Sequence, residues 1–399
     1  MLLIQNGTLV TMEDDMPIVR DLFIEDGKIK AISPSISQND IPQTKQPLTI
    51  LDARGCFVYP GLIEAHCHIG ITESKMAKEG DDCNEVTNPI TPYLRALDAI
   101  NPMDAAFDDA VRAGITSVMA GPGSSNVVGG QFLFMKTKGR EIDRLCILEP
   151  AAMKVAFGEN PKVNYGTQNK MPATRMATAS MLREELFEAQ QYYLKWKKER
   201  NFKDWTPDFK KEAWIPVFER KIPIKAHVHR TDDILTAIRI AKEFHLDLTL
   251  DHCSEGHLIA SEIAASKFPA IVGPDLASRN KIEVQNMAFK TAGVLSKAGV
   301  QVAITTDHPV SLIQSLPLCA GLAAKSGLGK KEAMRAITIN PAQICRVDNR
   351  VGSLKEGKDA DIAIFDGNPM EVFTNCLYTI IDGQIVYDYY KDQRTQVKS

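Results

Sequence analysis

The segment "IPIKAHVHRTDDILTAIRIAKEFHLDLTLDH", residues 222–252, has two apolar runs with a helical pattern between them. The runs "IPIKAHVH" and "LDLTLDH" are short and largely apolar, as expected for strands that are buried on both faces. The intervening "DDILTAIRIAKEF" places its apolar residues at the three- and four-residue spacing of one helix face. A strand, a helix and a second strand in this order predict a parallel βαβ unit.

The same alternation runs through the middle of the chain. Strand-like runs include "ITSVMAG", "AAMKVAFG", "FPAIVG" and "VQVAITTD", and "MDAAFDDAVRAG" has a helical pattern. About eight such strands would close a barrel. Both chain ends instead contain short β-favouring runs with Asn-Gly or Asp-Gly turns, which are typical of hairpins. We therefore predict an α/β fold, a (β/α)8 TIM barrel with a small β-sandwich domain formed from both chain termini.

The predicted domain boundaries follow from these patterns. Residues 1–55 are expected to form the amino-terminal part of the small β-sandwich, residues 56–348 the barrel, and residues 349–399 the carboxyl-terminal part of the sandwich. A helical insertion is expected at about residues 159–220, because "TRMATASMLREELFEAQQYYLKWKKER" has an apolar stripe at helical spacing. That stripe would pack on the barrel or on another subunit, so the pattern allows a homo-oligomer.

The composition is that of an ordinary globular protein. Of 399 residues, 44% are hydrophobic and 24% are charged, and the formal net charge is −3. This balance gives no electrostatic reason to expect nucleic acid or an anionic membrane as partner. The eight cysteines are scattered, and the amino-terminal sequence lacks the segments of a secretory signal. We expect a cytoplasmic protein that acts on a small molecule, without a nucleic-acid or membrane partner.

The glycine-rich stretch "GPGSSNVVGG", residues 121–130, follows an early predicted strand. It lacks the pattern of a phosphate-binding loop, so it does not indicate a nucleotide site. We expect it to form a loop at the mouth of the barrel.

Histidines mark the ends of the predicted strands. In "GLIEAHCHIG", residues 61–70, the alternation of a strand puts His66 and His68 on one side, where two imidazoles can share a metal ion. Every other histidine except His245 and His257 also lies at a strand end. Because the carboxyl ends of barrel strands converge, a metal site is predicted there. The strand-end residues are His227, His229, His252, Asp307 and His308.

Three separated motifs resemble the signatures of the amidohydrolase superfamily, in its imidazolonepropionase-related branch. The stretch "GLIEAHCHIG" resembles the first-strand signature, and "TTDHP", residues 305–309, resembles the last-strand aspartate. The stretch "AITINPAQI" followed by "RVGSLKEGKDADIAIFDG" resembles the carboxyl-terminal signature. The resemblance implies a barrel with one or two divalent metal ions that hydrolyses C–N bonds. Zn²⁺ is the first expectation for the metal, with Mn²⁺, Fe²⁺ and Co²⁺ as alternatives.

The resemblance also implies roles for individual residues. His66 and His68 would bind the first metal, and Asp307 would be both a ligand and the general base. His252 would be the ligand from the sixth strand, and His227 the ligand from the fifth. His229 has the same strand parity as His227, so either could be the fifth-strand ligand.

The resemblance implies a bridging ligand as well, either a carboxylated lysine on the fourth strand or a glutamate. Lys154 lies within an apolar run, where an unmodified ammonium is costly to bury. Carbamylation of Lys154 would convert this cation into an anionic bridge. Glu159, just beyond the strand, is the alternative. Glu64 stands where the family often has aspartate, and a supporting role is expected for it.

The substrate is constrained by a missing residue. Base deaminases of the superfamily carry His-x-x-Glu on the fifth strand, whereas Arg230 follows His227 at that spacing and Asp232 follows His229. We predict that Arg230 pairs with a substrate carboxylate and that His229 and His308 also contact the substrate.

The predicted function is a metal-dependent amidohydrolase that cleaves an amide, peptide-like or cyclic amide bond. Ring opening of an imidazolone or cyclic ureide, or a deamination, is the alternative reaction. A catalytically silent barrel scaffold is disfavoured, because such scaffolds lose the histidine ligands.

Overall fold

Two sheets organise the protein in a computed structural model that describes residues 1–42, 46–74 and 76–396. One sheet comes from both ends of the chain, and the other comes from its middle. In chain order the strands are β1 Leu2–Leu9, β2 Ile18–Glu25, β3 Lys28–Ser33, β4 Thr49–Asp52, β5 Phe57–Pro60, β6 Leu62–Cys67, β7 Ile115–Ala120, β8 Val128–Lys136, β9 Cys146–Ala156, β10 Ile224–Val228, β11 Leu248–His252, β12 Ala270–Val272, β13 Val302–Ile304, β14 Ile362–Phe365, β15 Cys376–Ile381 and β16 Gln384–Asp388.

Helices alternate with the strands of the middle sheet. The longest, α4, begins after Thr174, whose hydroxyl accepts a hydrogen bond from the N–H of Ala177 and caps the helix. In the described part of the chain, no helix is long and apolar enough to cross a membrane. The helices are α1 Ala105–Arg112, α2 Ile142–Leu145, α3 Glu159–Gly166, α4 Arg175–Glu199, α5 Phe209–Glu212, α6 Ile215–Phe218, α7 Thr231–Glu243, α8 Ala260–Ser266, α9 Lys290–Lys297, α10 Leu316–Ala323, α11 Lys330–Arg335, α12 Ile339–Ile344 and α13 Tyr389–Gln396.

The middle sheet curls into a barrel. Strands β6 to β13 follow one another in chain order around it. The barrel nearly closes where β13 meets β6, because the hydroxyl of Thr305 donates to the carbonyl oxygen of His66 at 2.6 Å. Strands β9 to β13 are mutually parallel, so their carboxyl ends share one mouth. The predicted α/β fold, a barrel with a small domain from both termini, is confirmed.

One barrel strand runs against the others. Strand β8 pairs antiparallel with both β7 and β9. Its first residues, Val128, Gly129 and Gly130, belong to "GPGSSNVVGG", so the expectation of a loop throughout that stretch is wrong. Gly130 has a φ of 127°, and a Cβ there would lie 2.5 Å from the carbonyl oxygen of Leu94. The glycine therefore allows a close backbone approach inside the sheet.

The terminal sheet joins the two ends of the chain. Its order is β16-β15-β14-β5-β1-β2-β3, with β4 beside β1. Strand β5 pairs with β1 and with β14, so it belongs to this sheet although it follows residue 55. We therefore propose that the small domain extends to Pro60, beyond the boundary between residues 55 and 56 that the pattern predicts.

A buried ionic network fastens the barrel to the terminal sheet. Lys136, the last residue of β8, is 3% exposed. Its Nζ lies 3.0 Å from Asp359, 2.6 Å from Asp361 and 3.2 Å from Asp382. Burial alone would lower the pKa of Lys136, but these three carboxylates raise it. The lysine is therefore a buried cation whose partners all come from the carboxyl-terminal part of the chain.

Replacing Lys136 with methionine should lower the free energy of unfolding by about 3–5 kcal/mol, because it leaves the buried carboxylate of Asp361 without its cation. Urea unfolding followed by circular dichroism measures this loss. Lys138→Met is the matched control, since that half-exposed lysine pairs with Asp108 and should contribute less than about 1 kcal/mol. Equal losses in the two variants would show that the network does not stabilise the fold.

Candidate metal centre

Predicted metal ligands converge at the barrel mouth. His66 is the penultimate residue of β6, His68 follows that strand, and Asp307 lies just beyond β13. The Nε2 atoms of His66 and His68 lie 3.3 and 3.2 Å from the same oxygen, Oδ1 of Asp307. His227 on β10 and His252 at the end of β11 complete a cluster of buried side chains. The structure thus brings together these five predicted metal ligands.

Two backbone positions aim the ligands. His252 has a φ of 72° and Asp307 a φ of 51°, a left-handed conformation that non-glycine residues seldom adopt. In a regular strand Asp251 and His252 would point to opposite sides. Here the carboxylate of Asp251 lies 3.0 Å from the Nδ1 of His66, and the rings of His66 and His252 are 5.0 Å apart. The left-handed turn therefore lets both neighbours face the centre.

The cluster divides into two groups that share His252. One group is His66, His252 and Asp307, and the other is His227, His229 and His252. Within each group, one ligand atom from every residue lies within 4.8 Å of the others. Burial lowers the pKa of His229 to about 3 and holds the pKa values of His227 and His252 well below the ordinary value. These imidazoles are therefore neutral, the form that binds metals.

The donor atoms fit a divalent cation. The Oδ1 of Asp307 is buried and has no hydrogen-bond partner among the described residues, despite the two nearby Nε2 atoms. Two ligands of a tetrahedral zinc ion, each about 2.1 Å from the metal, lie about 3.4 Å apart. The separations of 3.3 and 3.2 Å match that spacing. A shared cation would satisfy the free oxygen and both nitrogens.

Of the two candidate bridging ligands, the structure brings Lys154 to the cluster. Its Nζ is fully buried and lies 3.5 Å from the Nε2 of His66. Burial lowers the pKa of this amine to about 8, which raises the neutral fraction that can react with carbon dioxide. Glu159 is the first residue of α3, and its backbone N–H donates to Glu283. The side chain of Glu159 belongs to neither group.

A buried carboxylate behind His66 was missed by sequence analysis. One oxygen of Asp251 faces the Nδ1 of His66, and the other accepts a hydrogen bond from the Nζ of Lys225 at 3.2 Å. Lys225 also donates to the carbonyl oxygen of Ala65 at 3.1 Å. The available signal was an acidic residue inside an apolar strand, immediately before His252.

Glu64 supports the centre from β6. One of its oxygens accepts the N–H of His66 at 3.1 Å. The other accepts both the N–H and the hydroxyl of Thr306, at 2.8 and 2.7 Å. This carboxylate therefore links β6 to Thr306, the residue that precedes Asp307, where β13 meets β6 and the barrel closes.

A cavity of about 430 Å³ opens above the cluster, a size suited to a small molecule. Of the three predicted substrate-binding residues, His229 lines it. Its wall also contains one lysine, Lys281, whose Nζ donates to the Oδ1 of Asn160 at 2.6 Å. Its lining includes His68, Cys83, Asn84, Ser124, Ser125, Asn160, His227, His229, Lys281, Val284, Met287 and Asp307.

Arg230 and His308 lie outside this cavity lining. The guanidinium of Arg230 binds the carboxylate of Asp232, with contacts of 3.0 and 3.3 Å. His308 accepts the N–H of His68 through its carbonyl oxygen at 2.8 Å, and its Nδ1 accepts the N–H of Ile313. Both residues therefore have partners within the protein and do not line the cavity in which a substrate would bind.

Comparison with known proteins gives consistent matches. A model described as the amidohydrolase family matches residues 57–386. The crystal structure of an amidohydrolase from Thermotoga maritima MSB8 is 36% identical with a TM-score of 0.92, covering 97% of this chain and all of that chain (100%). The imidazolonepropionase of Maricaulis maris is 24% identical over 90% of both chains. Amidohydrolase tasK of Hapsidospora irregularis is 26% identical over 92% of this chain, which spans only 40% of that protein.

Replacing Asp251 with asparagine should weaken binding of the first metal ion about 10–100-fold, because the carboxylate facing the Nδ1 of His66 is lost. Competition with a chromophoric chelator measures the affinity for Zn²⁺. Asp247→Asn is the matched control just before the same strand, where the carboxylate contacts Arg220 and Arg346. Unchanged affinity in Asp251→Asn would show that Asp251 does not position His66.

Proposed function

The chain belongs to the amidohydrolase family of hydrolases acting on C–N bonds, and we propose that it hydrolyses an amide or cyclic amide that carries a carboxylate. The observation that carries this proposal is the Oδ1 of Asp307, which faces the histidine pair and has no hydrogen-bond partner among the described residues, in a residue that also lines the cavity. Amide hydrolysis requires an activated water and a proton acceptor that can return the proton to the leaving nitrogen.

Members of this family are metal-dependent. In this chain His66, His68 and Asp307 would hold one ion, and His227, His252 and Lys154 are the further candidate ligands. A divalent ion held there would lower the pKa of water and polarise the carbonyl group of the bond that is cleaved.

Asp307 is the proposed general base. Its carboxylate removes a proton from the attacking water as the new C–O bond forms, and transfers that proton to the nitrogen as the C–N bond breaks. The N–H of Asp307 donates to the hydroxyl oxygen of Thr305 at 2.9 Å, which fixes the strained backbone beneath the carboxylate. The carboxylate is therefore oriented before substrate arrives.

Lys281 is the proposed partner of the substrate carboxylate. It lies on the cavity wall, and its Nζ donates to a neutral amide oxygen of Asn160. Its positive charge is therefore available to an anionic ligand. Arg230, which the sequence pattern suggests for this role, is already paired with Asp232. The proposed anion site is therefore Lys281 and not Arg230.

A deamination is the second candidate function. No glutamate follows His227 or His229 at the deaminase spacing, yet the carboxylate of Glu283 lies 3.6 Å from the Nε2 of His227. A carboxylate at that place could protonate a ring nitrogen. Substrate specificity separates the two candidates.

A panel of N-acyl amino acids, dipeptides, cyclic ureides, imidazolones and nucleobases should show turnover of a carboxylate-bearing amide before any nucleobase. With the best substrate, Lys281→Met should raise KM at least tenfold and lower kcat less, because the lost contact holds a group that does not react. Arg230→Met is the matched control and should leave KM unchanged. Nucleobase deamination alone would favour the second candidate, and a KM effect in Arg230→Met instead would restore the arginine.

Asp307→Asn should lower kcat by about 10²–10⁴-fold, since the amide keeps the shape of the side chain but cannot accept the proton. Steady-state kinetics with the best substrate of the panel, together with elemental analysis, measures turnover per bound metal. Asp232→Asn, which removes the carboxylate beside Arg230, is the control. A loss smaller than tenfold per metal would exclude Asp307 as the base.

A further inference from the structure

The carboxylate of Glu283 is buried at the barrel mouth and has no place in the roles given above for hydrolysis. It lies in a single 3₁₀ turn, Ile282–Val284, in the segment that follows β12, and it is 1% exposed. Its Oε1 lies 3.6 Å from the Nε2 of His227 and 3.8 Å from the Nε2 of His229. Sequence analysis missed Glu283, because it lies outside every predicted strand.

The two oxygens of Glu283 differ in their partners. Its Oε2 accepts the N–H of Glu159 at 2.8 Å. Its Oε1 is buried and has no hydrogen-bond partner in the part of the chain that the structure describes. The distances to the two histidines exceed those of ordinary N–H···O hydrogen bonds. Lys281, two residues earlier, donates to Asn160. A free carboxylate oxygen in such a place is costly unless a cation compensates it.

The spacing of these atoms matches a set of metal ligands. Ligand atoms of a tetrahedral zinc site lie about 3.4 Å apart, close to the separations of Glu283 from the two imidazoles. His227 and His229 also form a group with His252, and His252 belongs to the first group with His66 and Asp307. The two sets of ligands therefore adjoin each other through one shared histidine.

We propose that Glu283 is a metal ligand, and that its Oε1 forms a second cation subsite together with His227 and His229. This inference rests on the proposed metal-dependent function and adds a ligand from the segment after β12. It also resolves the choice between His227 and His229, because both bind the second ion. His252 lies between the two subsites.

The backbone around Glu159 holds the ligand in place. Gly158 has a φ of 79°, and a Cβ there would lie only 2.7 Å from the Oε2 of Glu283. The glycine lets the start of α3 approach the carboxylate, so that the N–H of Glu159 can bind one oxygen and leave the other free. Glu159 thus serves the centre through its backbone, whereas sequence analysis considered its side chain.

The test compares metal binding in wild type and Glu283→Gln. Wild type should bind two equivalents of Zn²⁺ in competition with a chromophoric chelator. In Glu283→Gln the second equivalent should bind at least 100-fold more weakly, beyond the 10–100-fold effect expected when only an outer partner is lost. With Co²⁺, the visible absorption of the second equivalent should also change, because that band reports the donor atoms. The affinity for the first equivalent should stay within threefold.

Two further variants complete the design. Glu255→Gln is the matched control, a buried glutamate whose oxygens are held by the N–H of Thr231 and the amide of Asn286. It should keep both equivalents. His229→Gln should lose the second equivalent as Glu283→Gln does, and it replaces Glu283→Gln if circular dichroism shows that the latter is unfolded.

The outcomes separate the inference from the function on which it rests. Wild type that binds no metal would overturn the proposed metal-dependent function. If wild type and Glu283→Gln bind metal with the same affinities and the same Co²⁺ spectrum, Glu283 is not a ligand. The proposed hydrolase function would be unaffected by that result. Loss of deaminase turnover in Glu283→Gln, with metal binding intact, would identify Glu283 as a proton donor instead of a ligand.

Discussion

Asp307 keeps a buried carboxylate oxygen against two histidines, without a hydrogen-bond partner in the part of the chain that the structure describes, and the mouth of the barrel is built around that arrangement. The left-handed backbone of Asp307 costs about 1–3 kcal/mol in a non-glycine residue, so other contacts must hold it. Thr305 and Glu64 provide those contacts. The hydroxyl of Thr305 both accepts the N–H of Asp307 and donates to His66, while Glu64 binds Thr306 and His66. Strands β6 and β13 are therefore joined through the residues that carry the ligands.

The interior below the centre is charged where barrels usually pack apolar side chains. Lys154 and Lys225 occupy paired positions on β9 and β10, and both ammonium groups lie 5.6 Å from the centre of the Phe132 ring. The carboxylate of Asp251 pairs with Lys225 and lies 3.0 Å from the Nδ1 of His66. Lys154 makes its 3.5 Å contact with the nitrogen of His66 instead. Conversion of Lys154 to a carbamate would remove the repulsion between two neighbouring buried cations, which gives the proposed modification a physical basis beyond its role as a bridge.

Sequence alone predicted the barrel, the terminal sheet and the convergence of the histidines, because strand ends follow from local periodicity and parallel strands share one mouth. The same reasoning could not predict β8, because Gly129 and Gly130 indicate a turn when only the sequence is considered. In the structure Gly130 instead allows a close approach to the backbone of Leu94. It also could not place Glu283 and Lys281, which reach the site from a segment without periodicity. Arg230 was assigned by its position after His229, but the structure shows its charge paired with Asp232. Partners of loop residues depend on tertiary contacts that spacing does not encode.

The terminal sheet has a consequence for the order in which the chain can fold. Strand β5, which precedes the barrel, pairs with β14, which follows it. The buried Lys136 of the barrel likewise finds its carboxylates at Asp359, Asp361 and Asp382. During synthesis the barrel strands leave the ribosome before these partners have been made. The edge of β5 that pairs with β14 and the ammonium group of Lys136 therefore stay without these partners until the later residues are synthesised. Contacts of such long sequence separation form slowly, and an unfinished chain is therefore the species that is most exposed to aggregation and to chaperones.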